Sequence, residues 1–351
     1  MPQDLNEIYS SALGHLRKGS QDLELVRRAL LWLAVATRPL YIWELNEAVV
    51  VEDGDTDIDG DSRFDNPELL IDLANGLLEY NSSKKYNSYK KIVSLGHSSI
   101  KAFLTSDWIK SSTVSDFAFD EETAHTAIMN TCLTYFSFLR YRAGSLRPFQ
   151  ISQMSQEECP LLWYAALSWT RHIKAPQRDN WIKIQSFLST RSLSGLGSYS
   201  WWIAAITRGM VDKDTIQNTH PLYYASSFGH TGLVDAILRF DPTVDLEAPG
   251  GLEGSTALQV ACYRQQLEVT NLLVSAGANP LTQDRATCQE GDVGVSPLWW
   301  AVQHGWTETV ATMIHKWAPG SEVDEVLHGL RPEGASPDSG EGRAVSSSRG
   351  D

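Results

Sequence analysis

The fold of the C-terminal part is decided by three stretches that share one pattern: His220-Pro221-Leu222-Tyr223-Tyr224-Ala225, Thr256-Ala257-Leu258-Gln259-Val260-Ala261 and Ser296-Pro297-Leu298-Trp299-Trp300-Ala301. Ser or Thr at the first position can accept a backbone N–H bond, and Pro is tolerated in the first turn of a helix. Four residues after the closing alanine stand Gly229, Gln265 and Gly305, and glycine allows the left-handed residue that ends a helix. Apolar residues at helical spacing then follow in each copy. Each stretch therefore predicts a helical hairpin.

The three copies resemble ankyrin repeats, and Ser275-Ala276-Gly277-Ala278-Asn279-Pro280 is similar to the family's turn after the second helix. The spacing exceeds the roughly 33 residues of that family, so the connecting loops carry insertions. Gln265-Gln266 replaces the usual Gly-His, and His220 replaces the capping Thr. We therefore expect the second repeat to be the most irregular. The resemblance implies a stack of helical hairpins that binds a protein partner.

The N-terminal part combines helical spacing with two short strand candidates. Pro39 disfavours the helical region at the preceding residue, so two helices meet there in a helix-turn-helix arrangement. The strand candidates are joined by a polar, Lys-rich loop, and the whole pattern predicts a winged-helix module. The predicted helices are Leu5–Leu16, Leu23–Ala36, Tyr41–Val50 and Pro67–Ala74, and the predicted strands are 76–80 and 91–95.

Several motifs in this part resemble the winged-helix module of fungal NACHT–ankyrin proteins, a module named after GPI inositol-deacylase. They include Arg28-Ala29-Leu30-Leu31-Trp32-Leu33, His97-Ser98-Ser99-Ile100-Lys101-Ala102-Phe103-Leu104 and Cys159-Pro160-Leu161-Leu162-Trp163-Tyr164-Ala165. In that family, which is similar to innate immune receptors, the module packs on an NTPase domain and helps to hold the resting state. The resemblance implies a part of a fungal NLR-like signalling protein.

The phosphate loop GxxxxGK[ST] of such an NTPase domain does not occur in the sequence. ATP binding by that route is therefore not expected. We expect either that the NTPase domain lies upstream of this chain or that the chain acts without one, as an adaptor, regulator or decoy.

The predicted fold class is mainly α, with one small β-hairpin. Residues 1–110 form the winged-helix domain, 111–215 a helical linker and 216–330 about three irregular ankyrin repeats. Residues 331–351 consist mostly of Gly, Ser, Pro and charged residues. Such a segment buries too little apolar surface to offset its conformational entropy, so we expect a disordered tail.

Composition and charge exclude several classes of protein. The longest apolar run of the 351 residues is Ala29–Ala36, far shorter than the ~20 residues of a membrane span, and the N-terminus does not resemble a signal peptide. The four cysteines are far apart, which is typical of a reducing compartment. The net charge of −14 argues against nucleic acid as the partner. From the apolar runs and the cysteines we expect a cytoplasmic protein without membrane contact.

Nucleic-acid binding is the main alternative, through a wing in which lysines alternate with Tyr86 and Tyr89. Acidic residues dominate the region of the would-be recognition helix and the following loop, and they would repel phosphate. We therefore disfavour this function. The wing lysines are Lys84, Lys85, Lys90 and Lys91, and the acidic residues are Glu44, Glu47, Glu52, Asp53, Asp55, Asp57, Asp59 and Asp61.

Two further motifs are too incomplete to indicate catalysis or a metal. Gly96-His97-Ser98-Ser99-Ile100 lacks the second glycine of a nucleophile elbow, so Ser98 is expected to cap a helix and a hydrolase is a remote alternative. Asp55-Thr56-Asp57-Ile58-Asp59-Gly60 is half of a calcium loop without the closing Glu. We predict a protein without enzymatic activity, cofactor or metal.

The candidate binding residues are aromatic and lie in the repeats. An isolated repeat cannot bury its apolar face, so most of these rings should pack between repeats, and any exposed ring would anchor a partner. Between residues 219 and 330 there are 4 basic and 13 acidic side chains, so the expected partner is a basic protein surface or peptide. The candidates are Tyr223, Tyr224, Trp299, Trp300 and Trp306.

Overall fold

A computed structural model describes residues 3–16, 21–58, 63–81, 91–138, 159–190, 197–283 and 295–317. The predicted disordered tail lies outside these residues, as does the wing apart from Lys91. The chain forms two compact units, which divide between Gln217 and Asn218. That division falls two residues from the predicted start of the repeats. The predicted border between residues 110 and 111 stays a prediction, and it falls inside the first unit.

The first unit is mainly helical. Its helices are α1 (Gln3–Gly14), α2 (Gln21–Val35), α3 (Ile42–Ala48), α4 (Glu68–Leu73), α5 (Ser99–Leu104), α6 (Asp107–Lys110), α7 (Glu121–Phe136), α8 (Leu162–Ser168), α9 (Arg178–Ser189) and α10 (Ser198–Ile206). Helix α11 (Lys213–Asn218) follows at the border of the two units, and 3-10 turns occupy Ser115–Phe117 and Trp169–His172. Helix α7 packs on α2, α8 and α9.

The first unit also contains a three-stranded sheet, one strand more than the predicted hairpin. Strand β1 (Leu40–Tyr41) and strand β2 (Leu78–Asn81) both pair antiparallel with strand β3 (Ile92–Leu95), giving the order β1-β3-β2. The extra strand has only two residues and follows Pro39, so its sequence carries no alternation of apolar and polar residues. It nevertheless places the start of α3 directly against the sheet.

Helix α3, the would-be recognition helix, is buried rather than exposed. Six of its seven residues are buried, including Glu44 and Glu47. Glu47 is 0% exposed. Its Oε2 accepts hydrogen bonds from the Tyr135 hydroxyl at 2.8 Å and from the Leu161 N–H at 2.9 Å, and Arg63 lies 3.4 Å from Oε1. The expectation that these two glutamates belong to an exposed acidic face is therefore wrong, because both are used to hold elements together.

Ser98 does not cap helix α5, contrary to prediction. It has helical dihedral angles and its side chain accepts no capping bond. The neighbouring histidine takes that role, since the Nδ1 atom of His97 accepts the N–H of Ser99 at 3.1 Å. The Ser99 hydroxyl lies 2.7 Å from both this nitrogen and the Tyr9 hydroxyl. This local network fixes the start of the helix.

The second unit contains the three predicted hairpins in order. They are α12 (Pro221–Ser227) with α13 (Thr231–Phe240), α14 (Ala257–Tyr263) with α15 (Leu267–Ala276), and α16 (Pro297–Gln303) with α17 (Thr307–Trp317). The first helices of the hairpins pack on one another in sequence, and so do the second helices. This is the stack that the repeated pattern predicts.

The caps of the first helices follow the sequence pattern. Thr256 and Gln259 form a capping box, and the Ser296 hydroxyl accepts the N–H of Trp299. His220 replaces the usual Thr, and its Nδ1 atom accepts the N–H of Leu222 at 3.2 Å. The three helices therefore begin where the pattern places them, although a different type of side chain caps each one.

The turn between the two helices of each hairpin needs one left-handed residue. Gly229 and Gly305 both have φ of 69°, while Gln265 in the irregular second repeat has φ of 60°. A side chain in this conformation costs roughly 1–2 kcal/mol, because its Cβ crowds the following carbonyl. The second repeat thus keeps the geometry of its neighbours at the expense of local strain.

Replacement of Gln265 by glycine should raise the free energy of unfolding by about 0.5–1 kcal/mol, because relief of the strain exceeds the added entropy of the unfolded chain. Gly305→Ala is the matched control. Nothing lies within 4 Å of an added Cβ there, so only backbone strain is introduced and stability should fall by a similar amount. Urea denaturation of the full chain measures both. A Gln265→Gly variant no more stable than wild type would contradict this account.

Candidate functional site

Aromatic rings form a connected surface in the second and third repeats. Trp300 of α16 is the central ring: the ring centroids of Tyr263 and Trp299 lie 5.3 Å and 4.8 Å away, both near perpendicular. His304 lies 5.9 Å from Trp300 and 4.9 Å from Trp306. We call these five residues, Tyr263, Trp299, Trp300, His304 and Trp306, the aromatic row.

The aromatic row remains partly open to solvent. Tyr263 is 56% exposed, and the other four residues are half-buried. The adjacent Leu267, at the start of α15, is also exposed. Partly exposed Trp and Tyr rings that are held by neighbours are the side chains that most often anchor a protein partner. The row therefore has the composition of a binding surface.

Helix ends position the members of the row. Tyr263 is the last residue of α14, and His304 and Trp306 lie in the turn between α16 and α17. The Nε2 atom of His304 is 3.0 Å from the carbonyl oxygen of Cys262, so the third repeat is bonded to the second at this point. This contact fixes the imidazole ring relative to Tyr263.

The five predicted site residues fall into two groups. Trp299, Trp300 and Trp306 lie together in the aromatic row. Tyr224 is only 3% exposed, so it offers almost no surface to a partner. Tyr223 is half-buried and packs against the next loop, since a Cβ added to Gly250 would lie 2.7 Å from its ring. The two tyrosines thus lie outside the aromatic row.

Two members of the row, Tyr263 and His304, were missed by sequence reasoning, which concentrated on tryptophan. Both lie shortly after the closing alanine of their copy, on the helix end that precedes the turn. Tyr263 stands two residues after its alanine and His304 three, so the repeated pattern does not align them and gave no direct signal.

A second cluster of titratable groups lies in the first unit. The Nδ1 atoms of His125 and His172 are 2.8 Å apart, and His172 Nε2 is 2.8 Å from the Tyr164 hydroxyl. That hydroxyl accepts the N–H of Thr37 at 3.1 Å, so its own hydrogen can be donated to His172. The chain of bonds is complete when both imidazoles are neutral.

Burial is the main reason why His172 stays neutral. It lowers the pKa of His172 to about 3, and the nearby His125 and Lys174 act in the same direction. Burial also lowers the pKa of His125, and it raises the pKa of Tyr164 to about 12. These groups link α7 and α8 through hydrogen bonds between side chains, so we assign them to the fold.

The other motifs bring no chemistry together. Ser98 is exposed and bonds to no base within the described residues. No three His, Cys, Asp or Glu side chains of the described ranges are grouped as a metal site. Lys91, the one wing lysine in those ranges, pairs with Glu68 and lies 4.7 Å over the Tyr80 ring. Among the described helices, none is long and apolar enough to cross a bilayer.

Comparison with known families identifies ankyrin repeats in the C-terminal half. Residues 203–284 match the family described as "Ankyrin repeats (3 copies)". The match begins within α10, ahead of the first predicted copy, and ends before α16. The chain therefore carries ankyrin repeats, and the third hairpin is added to them by its sequence pattern and its packing on α14 and α15.

Two relatives are similar to parts of the chain. Azaphilone pigments biosynthesis cluster protein L of Monascus ruber is 26% identical over 295 residues, which cover 80% of this chain and 60% of that protein. Zinc finger CCCH domain-containing protein 50 of Oryza sativa subsp. japonica is 35% identical over 80 residues, 22% of this chain and 12% of that protein. The chain thus spans less than two thirds of either relative. No solved structure matches.

The neutral histidine pair makes stability depend on pH. A His with a folded pKa near 3 binds no proton at pH 5–6.5, whereas the unfolded chain does, so stability should fall as the pH drops from about 6.5 towards 3. Urea denaturation at several pH values between 6.5 and 5 gives the free energy of unfolding. This free energy should depend less steeply on pH in His172→Gln than in wild type. Equal slopes would contradict the assignment.

Proposed function

We propose that the chain is a non-enzymatic protein-interaction module that binds a protein partner through its ankyrin repeats. The observation that carries this proposal is the aromatic row, in which five rings from two successive repeats stay partly exposed although they contact one another. Ankyrin repeats in residues 203–284 support the same class of function. The partner docks on this row.

The partner is a basic protein surface or peptide. Residues 219–330 contain 13 acidic and 4 basic side chains, which favours association with positive charge. Desolvated rings at the centre of such a surface would supply affinity, and the surrounding charge would supply specificity and rate.

We further propose that the chain works within a fungal NLR-like signalling protein, in the cytoplasm, with its first unit packed on an NTPase domain. The three-stranded sheet beside α2 and α3 supports a winged-helix module. The fungal relative, similar over 80% of this chain, and the buried thiols of Cys132 and Cys262, which form no disulfide within the described residues, are consistent with that setting. Helix α3 would be a scaffold element there and would not enter a DNA groove, because it is buried.

Capture of a partner tests the interaction function. The tagged full chain is incubated with native extract of the organism that encodes it, and bound proteins are identified and then purified for affinity measurement. We expect Trp300→Ala to weaken binding of that partner at least 10-fold, because a buried aromatic anchor is commonly worth 2 kcal/mol or more. Leu252→Ala, at a residue of the same unit that is exposed and outside the row, is the matched control and should bind normally.

Tyr263→Ser tests the row with a lower risk of a folding defect than Trp300→Ala. Tyr263 is more than half exposed, so its replacement should leave the stack intact. It should also weaken binding. A partner that binds both row variants as tightly as wild type would refute docking on the aromatic row.

A further inference from the structure

His304 introduces a polar acceptor into the aromatic row. Its Nε2 atom is 3.0 Å from the Cys262 carbonyl oxygen. A carbonyl can only accept, so Nε2 must carry the hydrogen, and the neutral ring then has an unprotonated Nδ1. Within the described residues no donor bonds to that nitrogen. The row thus contains a fixed lone pair that a ligand donor could use.

Two indole rings flank this acceptor. Trp300 lies 5.9 Å from the imidazole with the planes only 18° apart, and Trp306 lies 4.9 Å away at 43°. The face of an indole carries negative potential and attracts cations. A ring that carries a lone pair and contacts two indoles favours a ligand that is positively charged and donates hydrogen bonds.

The row already contacts one guanidinium of its own chain. Arg264 lies over the Tyr263 ring, 5.8 Å from the centroid. This contact occupies the second-repeat end of the row and leaves the Trp300–His304–Trp306 end without an intramolecular cation in the described ranges. Both ends of the row present aromatic rings, and the indoles of the second end attract cations more strongly than the phenol of Tyr263, so a guanidinium suits that end as well.

We propose that Trp300, His304 and Trp306 bind an arginine side chain of the partner. The planar guanidinium stacks on an indole face and donates an N–H to His304 Nδ1, while the acidic repeats attract the rest of the basic segment. Arginine fits better than lysine because its flat, weakly hydrated group can stack and donate at once. The proposal rests on the interaction function above and names the group that the aromatic row recognises.

A set of matched peptides tests this site on the full chain. The probe is a labelled Gly/Ser peptide of about twelve residues with three arginines, compared with a peptide in which citrulline replaces each arginine. Citrulline keeps the shape and loses the charge. Fluorescence anisotropy should show roughly 10-fold weaker binding of the citrulline peptide, and the lysine version should bind between the two.

His304→Phe keeps an aromatic ring and removes the acceptor, so it should weaken binding of the arginine peptide several-fold. The citrulline peptide keeps its N–H donors, so its residual binding should be weakened as well. Trp306→Leu, which keeps the Cys262 contact, should weaken the arginine peptide as well. Absence of binding by the arginine peptide, equal binding of arginine and citrulline peptides, or indifference to both variants would overturn the proposal. Trp300-dependent binding of the captured partner would then still support the interaction function, so the two failures are distinguishable.

Discussion

A hairpin of two short helices cannot bury its own apolar face, and the whole second unit depends on this constraint. Each repeat is completed by the next one, through helix packing and through polar bonds at the ends of the helices. The ammonium group of Lys316 in the third repeat donates to the carbonyls of Val274 and Ser275, at 2.8 and 2.9 Å, where α15 ends. The same stacking holds Trp300 against Tyr263 and His304 against Cys262. Stacking therefore adds Tyr263 to the four aromatic residues of the third repeat and fixes the His304 ring.

The first unit depends on a different kind of contact. Glu47 of α3 bonds to Tyr135 of α7 and to Leu161 just before α8, so one buried carboxylate joins three parts of the chain. Hydrogen bonds to a charged group are strong, but removal of the donors would leave an uncompensated buried charge. This arrangement explains why α3 carries acidic residues although it is buried.

Local features of the fold could be predicted from the sequence, while contacts between distant residues could not. The helix starts at Thr256 and Ser296 follow from side chains that cap within three residues, and the stack follows from the repeated apolar pattern. Glu47 was misassigned because its partners lie 88 and 114 residues away. The short strand Leu40–Tyr41 was missed because pairing with β3, and no pattern of its own, makes it a strand.

The candidate site shows the same division. Its tryptophans were predicted together with Tyr223 and Tyr224. Trp299 and Trp300 stand at the same positions of the pattern as these tyrosines, so the pattern alone does not reveal that Trp300 stays half-buried while Tyr224 is 3% exposed. Tyr263 joins the row through its contact with Trp300 of the next repeat, which a single copy of the pattern does not reveal. Ankyrin repeats could thus be identified from sequence, whereas the residues that remain available to a partner required the packed structure.

Hydrogen exchange of the full chain, free and bound to its purified partner, tests the central claim that the repeats present the binding surface through the aromatic row. We predict slower amide exchange on binding in two segments, 262–267 and 299–306, which contain the row and the turns beside it. Protection confined to residues before 218, with these two segments unchanged, would contradict the account.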